Sequence, residues 1–180
     1  SAVVDMSYMF AGTIRFNQNI GGWDVSSVVN MRGMFWNAHS FNQYIGGWDV
    51  SAVVDMSNMF DDAEMFNQDV KWWNVSSVLD MHDMFAGASE FNQNIELWSV
   101  STVQNMKRMF LGASKFNPDL SSWNVSSVQD MAQMFLGAIS FDQDLSSWDV
   151  SSVEDMDEMF EGVKLSTENY DQILIGWAEL

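Results

Sequence analysis

Few residues of this chain have the type and spacing to do covalent chemistry. The two histidines, His39 and His82, sit in different phases of an internal period, so nothing in the sequence makes them converge. Neither has the partners of a Ser-His-Asp set or a metal-ligand spacing around it. Serines recur at 26, 51, 76, 101, 126 and 151, always between a polar residue or Val and another small residue, where turn chemistry explains them better than nucleophilic attack. No catalytic residue is assigned, and the chain is expected not to be an enzyme.

Carboxylates suggest a second chemistry. Asp24, Asp49 and Asp149 share one column of residues 25 apart, and Asp69, Asp119 and Asp144 share another. Stacked at a strand spacing of ~4.8 Å, such carboxylates repel unless hydrogen bonds or a hard cation intervene. Calcium is therefore the one cofactor to weigh. However, Asn74, Ser99 and Asn124 interrupt the first column, and Asn19, Tyr44 and Asn94 the second. A solvated polar face is the favoured reading, with no metal assigned and calcium kept as the alternative. A regular face can also bind ice, but that would want a threonine column, and the threonines are only Thr13, Thr102 and Thr167.

The third chemistry is non-covalent recognition. Trp72 and Leu97 occupy equivalent positions where other units carry Gly or Ser, and Lys71, Asn74, Glu96 and Ser99 surround them in sequence. If the neighbouring Trp73 and Trp98 point inward, these six residues project outward. They are the candidate binding site, since apolar anchors within a polar rim are what interfaces use.

All these columns depend on one repeat. Met recurs at 6, 31, 56, 81, 106, 131 and 156, with a second Met three residues on and Phe directly after it. A further Phe recurs from 16 to 141, Trp from 23 to 148 and Val from 25 to 150, all at intervals of 25 residues without insertion or deletion. This reuse accounts for 15 Met, 13 Phe and 9 Trp in 180 residues. Within a unit, Val28, Met31, Met34, Phe35 and Ala38 carry the apolar spacing of a short helix. Ser27 with Asn30 resembles a capping box, as do Ser77/Asp80, Thr102/Asn105, Ser127/Asp130 and Ser152/Asp155. Ile45 to Val50 reads as a short strand with Trp48 and Val50 on one face.

A unit this small cannot bury its own stripe, so neighbouring units must stack. The expected fold is an α/β repeat solenoid, leucine-rich-repeat-like and right-handed, with one short parallel β-strand and one short helix per 25-residue unit. It should span residues 1–162 as about seven repeats, the first incomplete. The period then fails, and residues 163–180 read as a C-terminal cap, with Ser166 or Thr167 starting an amphipathic helix. In the column Asn17, Asn42, Asn67, Asn92, Asn117 and Asp142, the side chains are expected to satisfy turn backbone groups buried by stacking.

Composition narrows the partners. Seven basic residues against 25 acidic ones give a net charge of −18, which disfavours nucleic acid and anionic membrane. Zero Cys excludes disulfides and thiolate zinc sites. No apolar run approaches the ~20 residues of a membrane span, so no membrane insertion by this segment is expected. The first residues already lie inside the repeat, so the chain reads as part of something longer, with further repeats or a cap expected before Ser1.

The pattern Met-x-x-Met-Phe-x-x-Ala-x-x-Phe-Asn-Gln-x-Ile-x-x-Trp-Asp-Val-Ser-x-Val resembles the roughly 25-residue repeat of bacterial lipoproteins and wall-anchored surface proteins, related to BspA-like leucine-rich repeats. Pro118, Asp142, Lys71-Trp72 and Glu96-Leu97 depart from it. The resemblance implies display at the cell surface and a binding or adhesion role, the partner being an extracellular protein, peptide or glycan. A structural spacer is the alternative from another class.

Overall fold

A computed structural model describes residues 2–179; Ser1 and Leu180, the outermost residues of the two expected spans, lie outside the described residues. Units stack side by side in parallel register. A chain of parallel bridges runs Asp5, Asn30, Asp55, Asp80, Asn105, Asp130, Asp155, each residue paired with the one 25 positions on. Between the stacked units, Val, Met, Phe, Trp and Ala columns form one continuous core. The expected burial of the Met, Phe and Trp columns is observed in the second to sixth units, whereas Met9 and Trp23 of the first are exposed and Phe10, Phe16, Met156 and Phe160 are partly buried.

The expected helix in each unit is not formed. Among the described residues the one helix is α1, Thr167–Ala178. The segment expected to be helical instead alternates two kinds of hydrogen bond. In the second unit the amides of Met31, Gly33, Phe35 and Asn37 donate to Asp55, Ser57, Met59 and Asp61 of the next unit, at 2.7–2.9 Å. The amides between them bond inside the unit: Met34, Trp36 and Ala38 donate three residues back to Met31, Gly33 and Phe35, and Arg32 donates to Asn30 Oδ1. The result is a run of tight turns in which every amide from Met31 to Ala38 is paired, half within the unit and half across to its neighbour.

Backbone dihedrals explain why a helix is excluded. Position 33 and its equivalents Tyr8, Asn58, Asp83, Arg108, Gln133 and Glu158 all have φ between 54° and 58°. Position 37 is left-handed as well, through Gly12, Asn37, Asp62, Gly87, Gly112, Gly137 and Gly162. Two left-handed residues within five cannot belong to an α-helix. Apolar spacing alone could not separate the two structures, because a succession of three-residue turns puts Val28, Met31 and Met34 on the same side as a helix does.

Two further expectations need correction. The strand expected at Ile45 to Val50 is a pair of turns, with Trp48 N–H donating to the Ile45 carbonyl and Val53 N–H to Val50. Among the described residues, extended pairing is confined to single bridges at the Asn30 column. The capping boxes are absent too: the Ser77, Thr102 and Ser127 hydroxyls donate to backbone carbonyls of the preceding unit, at Ser51, Ser76 and Ser101. Their acidic partners close turns instead, as when Asp80 Oδ1 accepts the His82 amide.

The asparagine column does what the sequence required. Asn17 Oδ1 accepts the Asn42 amide, Asn42 the Asn67 amide, and so on to Asn117 and Asp142, at 2.9–3.0 Å. Gln43, Gln68, Gln93 and Gln143 donate a second bond to the same oxygens. Pro118 cannot do so, and Asn92 goes without that second donor. Each core Trp from 48 to 148 donates its indole N–H to a carbonyl 28 residues earlier, so the one polar atom of the ring is satisfied in the core.

Helix α1 closes the last unit by imitating what a further unit would supply. Ser166 N–H donates to Asp142 Oδ1, as the next asparagine of the ladder would. Trp177 donates to the Leu145 carbonyl and stacks on Phe160 at 6.3 Å, in the role of a repeat Trp. The expected start is confirmed at Ser166, whose hydroxyl accepts the Asn169 amide.

Candidate functional site

The six residues singled out in the sequence lie on one turn of the third and fourth units. Trp72 is 72% exposed and Leu97 61%. Their inward neighbours Trp73 and Trp98 stack at 6.3 Å, so the parallel register sets Trp72 and Leu97 side by side on the outside. Lys71 holds its ammonium 5.3 Å from the Trp72 ring centroid and 3.5 Å from Asp69 Oδ2. A cation over an indole face and beside a carboxylate fixes the approach to that ring. Tyr44 is exposed in the preceding unit, its ring lying over Gly46, where an added Cβ would come within 2.9 Å of the ring.

Of the other three residues, only the Asn74 side chain is engaged by the chain itself. Asn74 Oδ1 is occupied by the Ser76 amide and hydroxyl. Glu96 contributes its amide to Asn94 Oδ1, and its carbonyl accepts the Ser122 hydroxyl. Ser99 lies exposed on the outer side of the same turn. The site is thus two apolar side chains and a lysine on a rigid turn, with Glu96 and Asp69 as the nearby carboxylates.

The carboxylate columns are engaged by the chain itself. Asp24, Asp49 and Asp149 each accept both the amide and the hydroxyl of the serine two residues on, the hydroxyl at 2.6 Å. These bonds hold all three carboxyls below the usual aspartate range, the serine hydroxyl being the larger cause. Repulsion from Asp24 acts on Asp49 in the opposite sense and is the smallest of its influences. Asp69, Asp119 and Asp144 accept the amides of Lys71, Ser121 and Ser146. Both columns are therefore Asx turns that close the backbone. Among the described residues no group of three or more acidic or histidine side chains is arranged to hold a metal ion.

The histidines do not meet. His39 lies 3.7 Å from Glu64, while His82 Nδ1 lies 2.8 Å from Asp80 Oδ1, a bond that raises the imidazole's pKa and lowers the carboxyl's.

Sequence reasoning missed a second group of outward residues, centred on Trp36. Two cavities flank this half-exposed indole. One, of about 430 Å³, is lined by Ala11, Gly12, Ile14, Trp36, Asn37 and His39. The other, of about 220 Å³, is lined by Tyr8, Arg32, Trp36, Asn58 and Asp61. The signal was present: the Trp36 column otherwise holds Ala11, Asp61, Ala86, Leu111, Leu136 and Glu161, so one bulky ring stands out just as Trp72 does.

No helix of the described residues is long and apolar enough to cross a membrane. Neither a curated protein nor a solved structure matches the chain. The sequence pattern of the family described as "Mycoplasma protein of unknown function, DUF285" matches it twice, over residues 1–95 and 68–173. The overlapping matches follow from a repeat that can be entered at more than one register. With nearly all of its units covered in this way, the chain belongs to that repeat family.

Proposed function

We propose that this chain is a non-catalytic recognition module, displayed outside the cell, that binds an extracellular protein, peptide or glycan through Trp72 and Leu97. The observation that carries this reading is the 72% exposure of Trp72 at a position whose equivalents, Leu97 aside, carry Gly or Ser. Leaving an indole in water forgoes ~25 cal/mol for each Å² that could be covered, and its position beside Leu97 makes one coherent anchor. We take the stacked units to wind as a solenoid of the leucine-rich-repeat kind, right-handed by the usual preference of parallel crossovers. A relation to BspA-like surface repeats rests on the motif alone. Lys71 and Glu96 would tune approach and specificity more than affinity.

The test is a screen of immobilised glycans and extracellular proteins against the chain, repeated for each hit with Trp72→Ala and Leu97→Ser. Loss of about 2 kcal/mol in binding, with an unchanged melting temperature, is the expected result for Trp72→Ala. Unchanged affinity in both variants would remove the site from this turn.

A spacer function is the second reading, favoured by the unbroken ladder of inter-unit hydrogen bonds from the first unit to α1. Calcium stabilisation belongs with that reading, and an array that binds nothing in the screen would support it.

A further inference from the structure

We propose that the two cavities on either side of Trp36 form a saccharide site, distinct from the Trp72 turn, that takes an N-acetylhexosamine unit. Its walls are preorganised. Tyr8 stands edge-on to Trp36, with ring centroids 6.3 Å apart and planes at 69°. The Tyr8 hydroxyl accepts a 2.8 Å hydrogen bond from Arg32 Nε, and its ring lies against Gly33, where any Cβ would come within 2.4 Å of it. Tyr8, Arg32 and Trp36 are thus locked together before any ligand arrives, which limits the ordering cost of binding.

The polar cavity carries both charges. Arg32 uses Nε for Tyr8, and its terminal nitrogens make no hydrogen bond among the described residues. Across from it Asp61 accepts Asn58 Nδ2 at 3.0 Å through one oxygen. A guanidinium and a carboxylate in one 220 Å³ cavity disfavour a strongly anionic or cationic ligand. They suit a neutral one with adjacent hydroxyl groups, which donate to the carboxylate and accept from the guanidinium and amide. The indole of Trp36 lines both cavities, and an aromatic face is the surface that suits the C–H face of a pyranose.

The second cavity selects among sugars. Ala11, Gly12 and Ile14 make it mainly apolar, with Asn37 and His39 at its rim. A plain hexose has only hydroxyls to offer there. An acetamido group presents a methyl to Ala11 and Ile14 and an amide to Asn37 or His39. An N-acetylhexosamine therefore satisfies both cavities at once, with the ring on Trp36.

This site uses none of the residues of the Trp72 turn, so the two stand or fall separately. The probe is N,N′-diacetylchitobiose, with cellobiose as the same disaccharide lacking acetamido groups, titrated by calorimetry and by ligand-observed NMR. Chitobiose is expected to bind with millimolar or tighter affinity and cellobiose at least tenfold more weakly. Trp36→Ala should weaken chitobiose at least tenfold, while Ile139→Ser, at the exposed equivalent of Ile14 in the sixth unit, leaves it unchanged. Because Trp36→Ala also removes the contact with Tyr8, Ala11→Phe serves as the second variant: it fills the apolar cavity, leaves the polar one intact, and should abolish the preference for chitobiose. Absence of chitobiose binding, equal binding of cellobiose, or binding that survives both Trp36→Ala and Ala11→Phe would overturn the proposal.

Discussion

At the scale of single residues, the unit depends on two left-handed positions that the sequence fills unevenly. Gly33 fits the first, whereas its equivalents Arg108, Gln133 and Glu158 hold φ of 54–58° with full side chains. Left-handed backbone costs such residues ~1–2 kcal/mol, part of which glycine gives back through its looser unfolded state. Gln133 forms one exposed bond, to Glu158, that does little to compensate. Gln133→Gly should therefore stabilise the protein by about 0.5–1 kcal/mol, read as a raised denaturation midpoint. A destabilisation would mean that this position is not left-handed in solution. The core columns were readable because identity at 25-residue intervals needs no knowledge of backbone conformation. The turns were less so: Tyr, Arg, Gln and Glu at the first position give no sign of a left-handed residue, and glycine at five of the seven equivalents of the second is equally expected just past the end of a helix.

At the scale of elements, α1 succeeds as a closing element because its contacts repeat those of a unit while its backbone does not. The Asp142 carboxylate gathers the Ser166 amide, the Ser166 hydroxyl and the Asn169 amide group on one oxygen, within 3.0 Å, and its pKa falls chiefly through the Ser166 amide. Gly176 lets the helix approach so closely that an added Cβ would lie 2.3 Å from the Ser146 carbonyl oxygen. In a free helix Gly→Ala stabilises by about 1 kcal/mol. Here the sign should reverse, Gly176→Ala costing about 1–3 kcal/mol as α1 is pushed off the last unit. Proteolysis confined to the C-terminal segment, with the units intact, would be the accompanying sign. The helix itself was legible from its cap and periodicity. The per-unit helix and strand were misread because both periods arise equally from turns whose amides are shared with the neighbouring unit, a partnership no single unit displays.

At the scale of the molecule, acidity and hydrogen bonding set opposing pH responses. Asp5, Asp24, Asp49, Asp80, Asp142 and Asp149 have carboxyl pKa values below the ordinary one, so their contribution is present above about pH 4 and is lost as pH falls through the folded values. Asp61 acts the other way: burial first, then its neighbours Asp62 and Asp83, raise it to about 6, so stability falls as pH rises between about 4 and 6. His82, raised by its bond to Asp80, adds stability below about 6.5 that is lost as pH rises through its folded value. Relief of the −18 charge favours mild acid as well. The melting temperature should therefore peak near pH 5 and fall on both sides, and a monotonic rise towards pH 8 would contradict these assignments. Calcium should raise it no more than sodium at equal ionic strength, since the carboxylate columns already close turns; a saturable calcium-specific shift would show instead that the columns bind the ion.

The tryptophan column has an optical consequence. Trp73 and Trp98 lie parallel within 8° at 6.3 Å, and Trp123 and Trp148 within 3° at 6.5 Å. Indoles so close and so aligned share their excited states, so light absorbed by one can be emitted by another further along the stack. The folded chain should then give a strong exciton signal in near-ultraviolet circular dichroism, lost in step with the ladder. Because each ring belongs to one unit, chains of increasing unit number would show whether the array melts as a whole or from an end.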